Sequence, residues 1–247
     1  GDQVVLNGFG VGESHWGGLA ERARVPADWL IPLPEAFTPM EAMAIGTAGY
    51  TAGLCVDELE RAGVAQGAEV VVTGAAGGVG SIAITLLAAC GFRPVAVTGR
   101  ENLADYLREL GAVEVLPRTI FTEPAKGPLA SARWPGAVDT VGGEVLANLL
   151  KTMAYEGTVA ACGLAGGVEV NTTVLPFILR GVRLVGVESV YQPLHRREAV
   201  WQRLAELLPS ERLAEMSRIV PMAQVPEVAE EILRGHVRGR TVVDVKG

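Results

Sequence analysis

Cysteine is scarce in this sequence. The 247 residues include only Cys55, Cys90 and Cys162, far apart and without a C-x-x-C pair, so neither a disulfide framework nor a zinc ribbon is indicated. Cys90 falls in an apolar helical stretch and Cys162 follows an apolar strand, which predicts buried free thiols and a reducing, cytoplasmic setting. The three histidines, His15, His195 and His236, are dispersed and lack cysteine or carboxylate partners at ligand spacing, so no metal site is expected. No apolar run approaches the ~20 residues that span a bilayer, and no signal peptide is visible; a membrane partner is not expected. Positive charge is in deficit, with 21 Lys and Arg against 28 Asp and Glu and a net charge of −7. That balance argues against a nucleic-acid partner, which needs a basic face, but leaves room for a small anion held by local donors. A G-x-S-x-G elbow and a Walker lysine are both missing, which removes the usual hydrolase and nucleotide-triphosphatase readings.

What the sequence has is apolar residues and glycine. Hydrophobic residues make up 49% and charged ones only 20%, which excludes disorder and suits buried parallel strands. The 31 glycines cluster at turns after apolar runs, as in an α/β protein. The stretch Val70-Val71-Val72-Thr73-Gly74-Ala75-Ala76-Gly77-Gly78-Val79-Gly80-Ser81 is the most informative. A β-branched run ends in glycines and an apolar helix follows, which places backbone N–H groups at a helix N-terminus where a phosphate is favoured. Gly77 permits close approach of a pyrophosphate and Gly80 close packing of helix on strand. Ala75 stands where G-x-G-x-x-G has its first glycine, making this an A-x-G-x-x-G variant.

Around that stretch the chain alternates. Strands are predicted at 70–73, 94–98, 113–116, 137–141, 157–161 and 182–187, and helices at 80–90, 102–110 and 143–153, with an irregular passage over 118–135 that contains Pro124, Pro128 and Pro135. This series builds a doubly wound, six-stranded parallel sheet. Before it, residues 3–6 and 20–25 read as strands of an antiparallel β domain. Thr38-Pro39-Met40-Glu41 reads as a capping box opening a helix toward Thr47, with a second helix from Tyr50 to about Glu60. After it come helices at about 195–208 and 224–234 and a final strand from Arg240 to Val245. Gly1-Asp2 leads at once into strand-like residues and resembles a domain interior, so a preceding N-terminal part is expected to be missing.

The end of the second strand decides the cofactor. An acidic residue there would bond a ribose diol and repel a 2′-phosphate, but the sequence reads Thr98-Gly99-Arg100, whose hydroxyl and guanidinium suit a dianionic phosphate. NADPH is therefore expected over NADH. The alternative for Arg100 is a solvated cap of the next helix, a role its place one strand from the glycine turn weakens. Two further strand ends, Asp139 to Gly143 and Ala160 to Leu164, fall on the same sheet edge and should face the nicotinamide half. Asp139 has an alternative as cap of the helix beginning near Gly143.

Taken together, Gly46 to Ala52, the A-x-G-x-x-G turn, Thr98 to Arg100, Tyr106-Leu107 with Leu110-Gly111-Ala112, Asp139 to Gly142, Ala160 to Gly167 and Pro176 to Leu184 resemble the medium-chain dehydrogenase/reductase superfamily. So do Val4 to Gly8 with His15-Trp16-Gly17-Gly18, and Gly239 to Val243. Within the superfamily the likeness is to its zinc-free acrylyl-CoA reductase branch, whose members are often labelled quinone oxidoreductases. The resemblance implies a Rossmann fold with a partial GroES-like β domain: residues 1–36 as part of the catalytic domain, 37–192 as the NADP-binding domain, and 193–247 returning to the catalytic domain. It implies an NADPH-dependent reductase delivering hydride to the β-carbon of an α,β-unsaturated thioester. Thr47, Ala76, Gly77, Gly78 and Val79 would hold the cofactor, with Thr98, Gly99 and Arg100 at the 2′-phosphate and Leu164, Ile178 and Ser189 near the other end. No catalytic residue is assigned. Family members carry a further catalytic-domain segment, with a tyrosine near the nicotinamide, before the position of Gly1; without it, nucleotide could bind while turnover fails. The resemblance also implies a homodimer paired along the last Rossmann strand, around Leu184 to Glu188. His195-Arg196-Arg197 with Arg203 could meet a CoA tail or be a solvated helix face. The remaining alternatives are a quinone or alkenal reductase and a nucleotide-binding module without turnover.

Overall fold

The computed structural model describes residues 1–123 and 127–247; of the irregular passage, Pro124 lies outside them. The chain forms two compact units, one from Gly1–Tyr50 with Glu188–Gly247 and one from Thr51–Val187. The sequence reading placed its boundaries at 36/37 and 192/193.

The first unit opens with β1 (Val4–Val5), paired antiparallel with β2 (Ile31–Pro32). Residues 20–25 are not a strand: Ala20 to Arg24 are exposed, Val25 is half-buried, and Pro26 follows. With Glu21, Arg22 and Arg24 in the run, no apolar face is left to bury against a sheet. Next comes α1 (Pro39–Arg61), whose residues up to Tyr50 belong to this unit. Its capping box forms as the spacing requires, Glu41 N–H donating to Thr38 Oγ1 at 3.2 Å and Thr38 N–H to Glu41 Oε2 at 2.7 Å. Gly46 breaks the helix at φ 50°, ψ −158°, and helix resumes at Thr47 instead of Tyr50, because only that one residue leaves the helical region. The freed Ala44 carbonyl accepts from Arg240 Nε at 2.7 Å.

The second unit holds β3 (Glu69–Val72), α2 (Gly78–Ala89), β4 (Arg93–Thr98), α3 (Ala104–Glu109), β5 (Glu114–Pro117), α4 (Thr119–Thr122), β6 (Trp134–Asp139), α5 (Gly143–Thr152), β7 (Met153–Ala161), α6 (Leu175–Arg180) and β8 (Arg183–Gly186). Strand order is β5-β4-β3-β6-β7-β8, all parallel. This is the Rossmann order, with its topological switch point between β3 and β6. Val70, Val71, Val72, Val95, Ala96, Val97, Ala137, Val138, Val159 and Ala160 are all buried. Strands covered on both faces need such continuous apolar runs. Trp134, Leu146, Leu149, Leu150 and Met153 extend that core between β6, β7 and α5.

The chain then returns to the first unit as α7 (Leu194–Leu207), α8 (Ser210–Met216), β9 (Ser217–Pro221), α9 (Val225–Leu233) and β10 (Arg240–Asp244). Strands β9 and β10 pair in parallel, Ser217 opposite Arg240 through Pro221 opposite Asp244.

Candidate functional site

The glycine turn is a cradle. Gly77 N–H donates to Gly74 O at 2.9 Å, and Gly77 is then the N-cap of α2 with no side-chain cap. The first intrahelical bond is Ser81 N–H to Gly77 O at 2.9 Å. The amides of Gly78, Val79 and Gly80 therefore point outward from a positive helix end, ready for an anion. Gly80 makes the geometry possible: a Cβ there would meet Gly74 O at 2.5 Å and Ala75 Cα at 2.7 Å. Ala75 fits the first-glycine position because it is fully buried under the turn, its N–H donating to Val97 O at 3.2 Å. Beneath the cradle, Tyr106 donates to Ser81 Oγ at 2.9 Å.

One strand over, the end of β4 is lined by cations. Arg100 N–H donates to Thr98 Oγ1 at 3.1 Å and Arg100 Nη2 reaches back to Ala76 O at 3.3 Å. The guanidinium thus lies against the cradle instead of capping the next helix in solvent, and partial burial holds its pKa below the usual arginine value. A second arginine, which the motif spacing did not reveal, completes the bay. Arg118 follows β5, donates its N–H to Thr98 O at 2.9 Å, and lays its guanidinium 3.2 Å from where a Gly99 Cβ would stand. Gly99 is exposed between the two cations. An uncapped helix end beside two guanidiniums and a hydroxyl fits a pyrophosphate with an additional phosphate on the adjoining ribose.

On the other side of the switch point the strand ends are knotted together. Asp139, fully buried, accepts from Thr73 Oγ1 at 2.6 Å and from Gly142 N–H at 2.8 Å. Burial pushes its carboxyl above the usual range, against the lowering effect of those hydrogen bonds. Its carboxylate is thus spent on β3 and on the turn into α5, the capping role, and does not face a ligand. Thr140 bonds Thr73 through both N–H and hydroxyl, at 3.0 and 2.9 Å. Gly166 N–H donates to Val141 O at 2.7 Å, and a side chain at Gly163 would collide with the Thr140 backbone, so the loops after β6 and β7 pack main chain on main chain. Leu164 and Ile178, on the loop after β7 and on α6, are 65% and 68% exposed and available to an apolar ligand face. Cys162 donates to Asp139 O at 3.4 Å, and the thiol of the buried Cys55 is pushed well above its usual pKa, first by the neighbouring Cys162 thiol and then by burial; Cys90 and Cys162 are half-buried, less enclosed than their apolar surroundings predicted.

Two of the expected cofactor residues belong to the first unit. Thr47 is exposed at the first turn after the Gly46 break, and Ser189 is half-buried in the turn before α7. Of the cations considered for a CoA tail, Arg197 is 1% exposed and donates to main-chain carbonyls, so it is neither solvated nor available to CoA.

A six-stranded parallel sheet in Rossmann order, with an uncapped glycine turn after its first strand, defines a dinucleotide-binding oxidoreductase fold. Residues 78–208 match the family model described as zinc-binding dehydrogenase. The chain is 51% identical over 246 residues to acrylyl-CoA reductase AcuI of Ruegeria pomeroyi, covering 99% of this chain and 74% of that one. Among solved structures, Escherichia coli K-12 YhdH with bound NADPH aligns with a TM-score of 0.96 at 52% identity, covering 99% of this chain and 76% of that chain. Bacillus subtilis YhfP with NAD bound aligns at 0.94 and 46%, covering 99% and 75%. The chain belongs to the medium-chain dehydrogenase/reductase superfamily, in its acrylyl-CoA reductase branch.

Proposed function

We propose that this protein is an NADPH-dependent, zinc-free reductase of the C=C bond of an α,β-unsaturated acyl-CoA, converting acrylyl-CoA to propionyl-CoA. The observation that carries it is the Arg100 and Arg118 bay beside the uncapped N-terminus of α2. The relative AcuI of Ruegeria pomeroyi is an acrylyl-CoA reductase, and E. coli YhdH holds NADPH. Bound NADPH would supply the hydride for the β-carbon, with a proton completing the α-carbon. In this reading Ala76, Gly77, Gly78 and Val79 bind the pyrophosphate, and Thr98, Gly99, Arg100 and Arg118 bind the 2′-phosphate. Leu164, Ile178 and Ser189 line the nicotinamide end, and Thr47 contributes from the start of the resumed helix. Among the described residues no group of three or more His, Cys, Asp or Glu is placed to hold a metal ion. The zinc-free reading rests on the branch the chain belongs to.

Residues 1–36 and 193–247 are assigned in this proposal to a GroES-like catalytic domain and 37–192 to the NADP-binding domain. The protein is read as a cytoplasmic homodimer without nucleic-acid or membrane partners. No helix among the described residues is long and apolar enough to cross a membrane. The test is steady-state turnover with NADPH and acrylyl-CoA, with propionyl-CoA identified by mass spectrometry. Reduction of quinones without acyl-CoA turnover would replace this reading by a quinone reductase, and NADPH binding without any turnover by a nucleotide-binding module.

A further inference from the structure

Arg197, on the first turn of α7, is among the most completely buried side chains of its unit, yet its four hydrogen bonds all go to main-chain carbonyls. Nη1 donates to Asn7 O at 2.7 Å, Nη2 to Val190 O at 2.6 Å and Ser189 O at 3.3 Å, and Nε to Gln192 O at 3.2 Å. Its carbon Cζ lies 4.3 Å from the Phe9 ring centroid and 5.2 Å from that of Tyr50. A side chain needed only to pack α7 would be apolar, since burying a guanidinium is costly unless its donors are used. Here they are used to gather two separate segments. The turn 188–192 is closed on its other side by Glu188, which accepts from the Val190 and Tyr191 amides, while Gln192 Nε2 donates to Glu188 O at 2.7 Å. The segment after β1 meets it through Phe9 N–H to Val190 O at 3.0 Å. That contact costs backbone strain: Phe9 sits at φ 52°, unusual for a bulky residue, and a Gly8 Cβ would meet Val190 O at 2.6 Å and Arg197 Nη2 at 2.8 Å. Phe9 in turn stacks on Trp29 at 5.0 Å.

We propose that Arg197 is a positioning residue for the cofactor: by turning the Ser189 and Val190 carbonyls inward, it leaves Ser189 to present its N–H and hydroxyl to the nicotinamide end of NADPH. The proposal rests on the reading that Ser189 meets the cofactor. It is tested on the whole chain with Arg197→Lys, which keeps the charge but not the fork, and Arg197→Met, which keeps the packing stem and no donor. In the wild type, NADPH is expected to slow amide exchange both in 74–81 and in 188–192. In both variants the effect on 74–81 should persist, that on 188–192 should be lost, and the KM for NADPH should rise about tenfold in Lys and further in Met. A lower melting temperature with unchanged KM and unchanged protection of 188–192 would reduce Arg197 to a structural role and overturn the proposal. Wild-type protection of 74–81 without any at 188–192 would instead refute the role of Ser189 itself.

Discussion

At the scale of single residues the cofactor preference turns on two cations that arrive by different routes. Arg100 was legible because it follows the second strand at the distance where the ribose is read. Arg118 was not, because nothing in local spacing ties it to the glycine turn. Only the pairing of β4 with β5, Thr98 opposite Pro117, carries it to Gly99. If both meet the 2′-phosphate, Arg100→Ala and Arg118→Ala should each weaken NADPH by about 1.5–3 kcal/mol, the worth of a hydrogen bond to a charged group, and leave NADH nearly unchanged. Fluorescence titration with both cofactors measures this. Equal losses for NADH would mean that the arginines support the fold of the bay and do not select its ligand. The NAD bound to YhfP makes the comparison a pointed one.

Asp139 invites a second residue-scale experiment. Its folded pKa is raised from 3.8, chiefly by burial, so the folded chain holds this proton more tightly than the unfolded chain. Stability from this group therefore grows as pH falls through the folded pKa toward 3.8 and is absent at neutral pH. Asp139→Asn cannot accept at both Thr73 and Gly142 with one oxygen, and should cost about 1–3 kcal/mol at pH 7. In urea denaturation the wild type should gain on the variant as pH is lowered from 7 toward 3.8. A gap that stays constant would show that the carboxyl does not titrate in this window.

At the scale of elements, Gly80 binds α2 to β3. Alanine there would set a methyl 2.5 Å from Gly74 O, and main chain cannot step aside as a flexible side chain would. Gly80→Ala is expected to destabilise the protein by about 1–3 kcal/mol, as overpacking does, and to weaken both nicotinamide cofactors alike. Thermal melting with and without NADPH separates the two effects; unchanged stability would show that the cradle can open. The same closeness explains what was legible in the sequence. Strands β3, β4, β6 and β7 could be read because apolar runs end in glycine, and α2 because the turn before it needs glycine. Helix α6 was missed because it is only six residues long, with a proline at its second position and no room for a helical period to show. Helix α8 and strand β9 were missed because β9 gains its identity from β10, some twenty residues on, and polar Ser217 and Arg218 carry no strand signal of their own.

At the scale of the whole molecule, strand β8 forms one edge of the six-stranded sheet. Val187 N–H donates to Ala161 O at 2.9 Å, so by alternation the amides of Arg183 and Val185 also face β7, and those of Leu184 and Gly186 point away from it. Leu184 on this strand is exposed. An apolar edge with open amides is a liability in a monomer, and a two-fold partner pairing along it would remove both problems. This is the physical basis of the homodimer proposal. Leu184→Pro removes one outward amide and an exposed apolar side chain while sparing the bonds to β7, since proline is tolerated on an edge strand. Sedimentation should show the wild type as a dimer and the variant dissociating at least about tenfold more readily, the effect of ~1.4 kcal/mol. Protection of amides 74–81 by NADPH should be retained, because the cradle and the arginine bay lie at β3, β4 and β5, away from that edge in strand order. A wild type that sediments as a monomer at every concentration would leave the β8 edge to be protected by some other device.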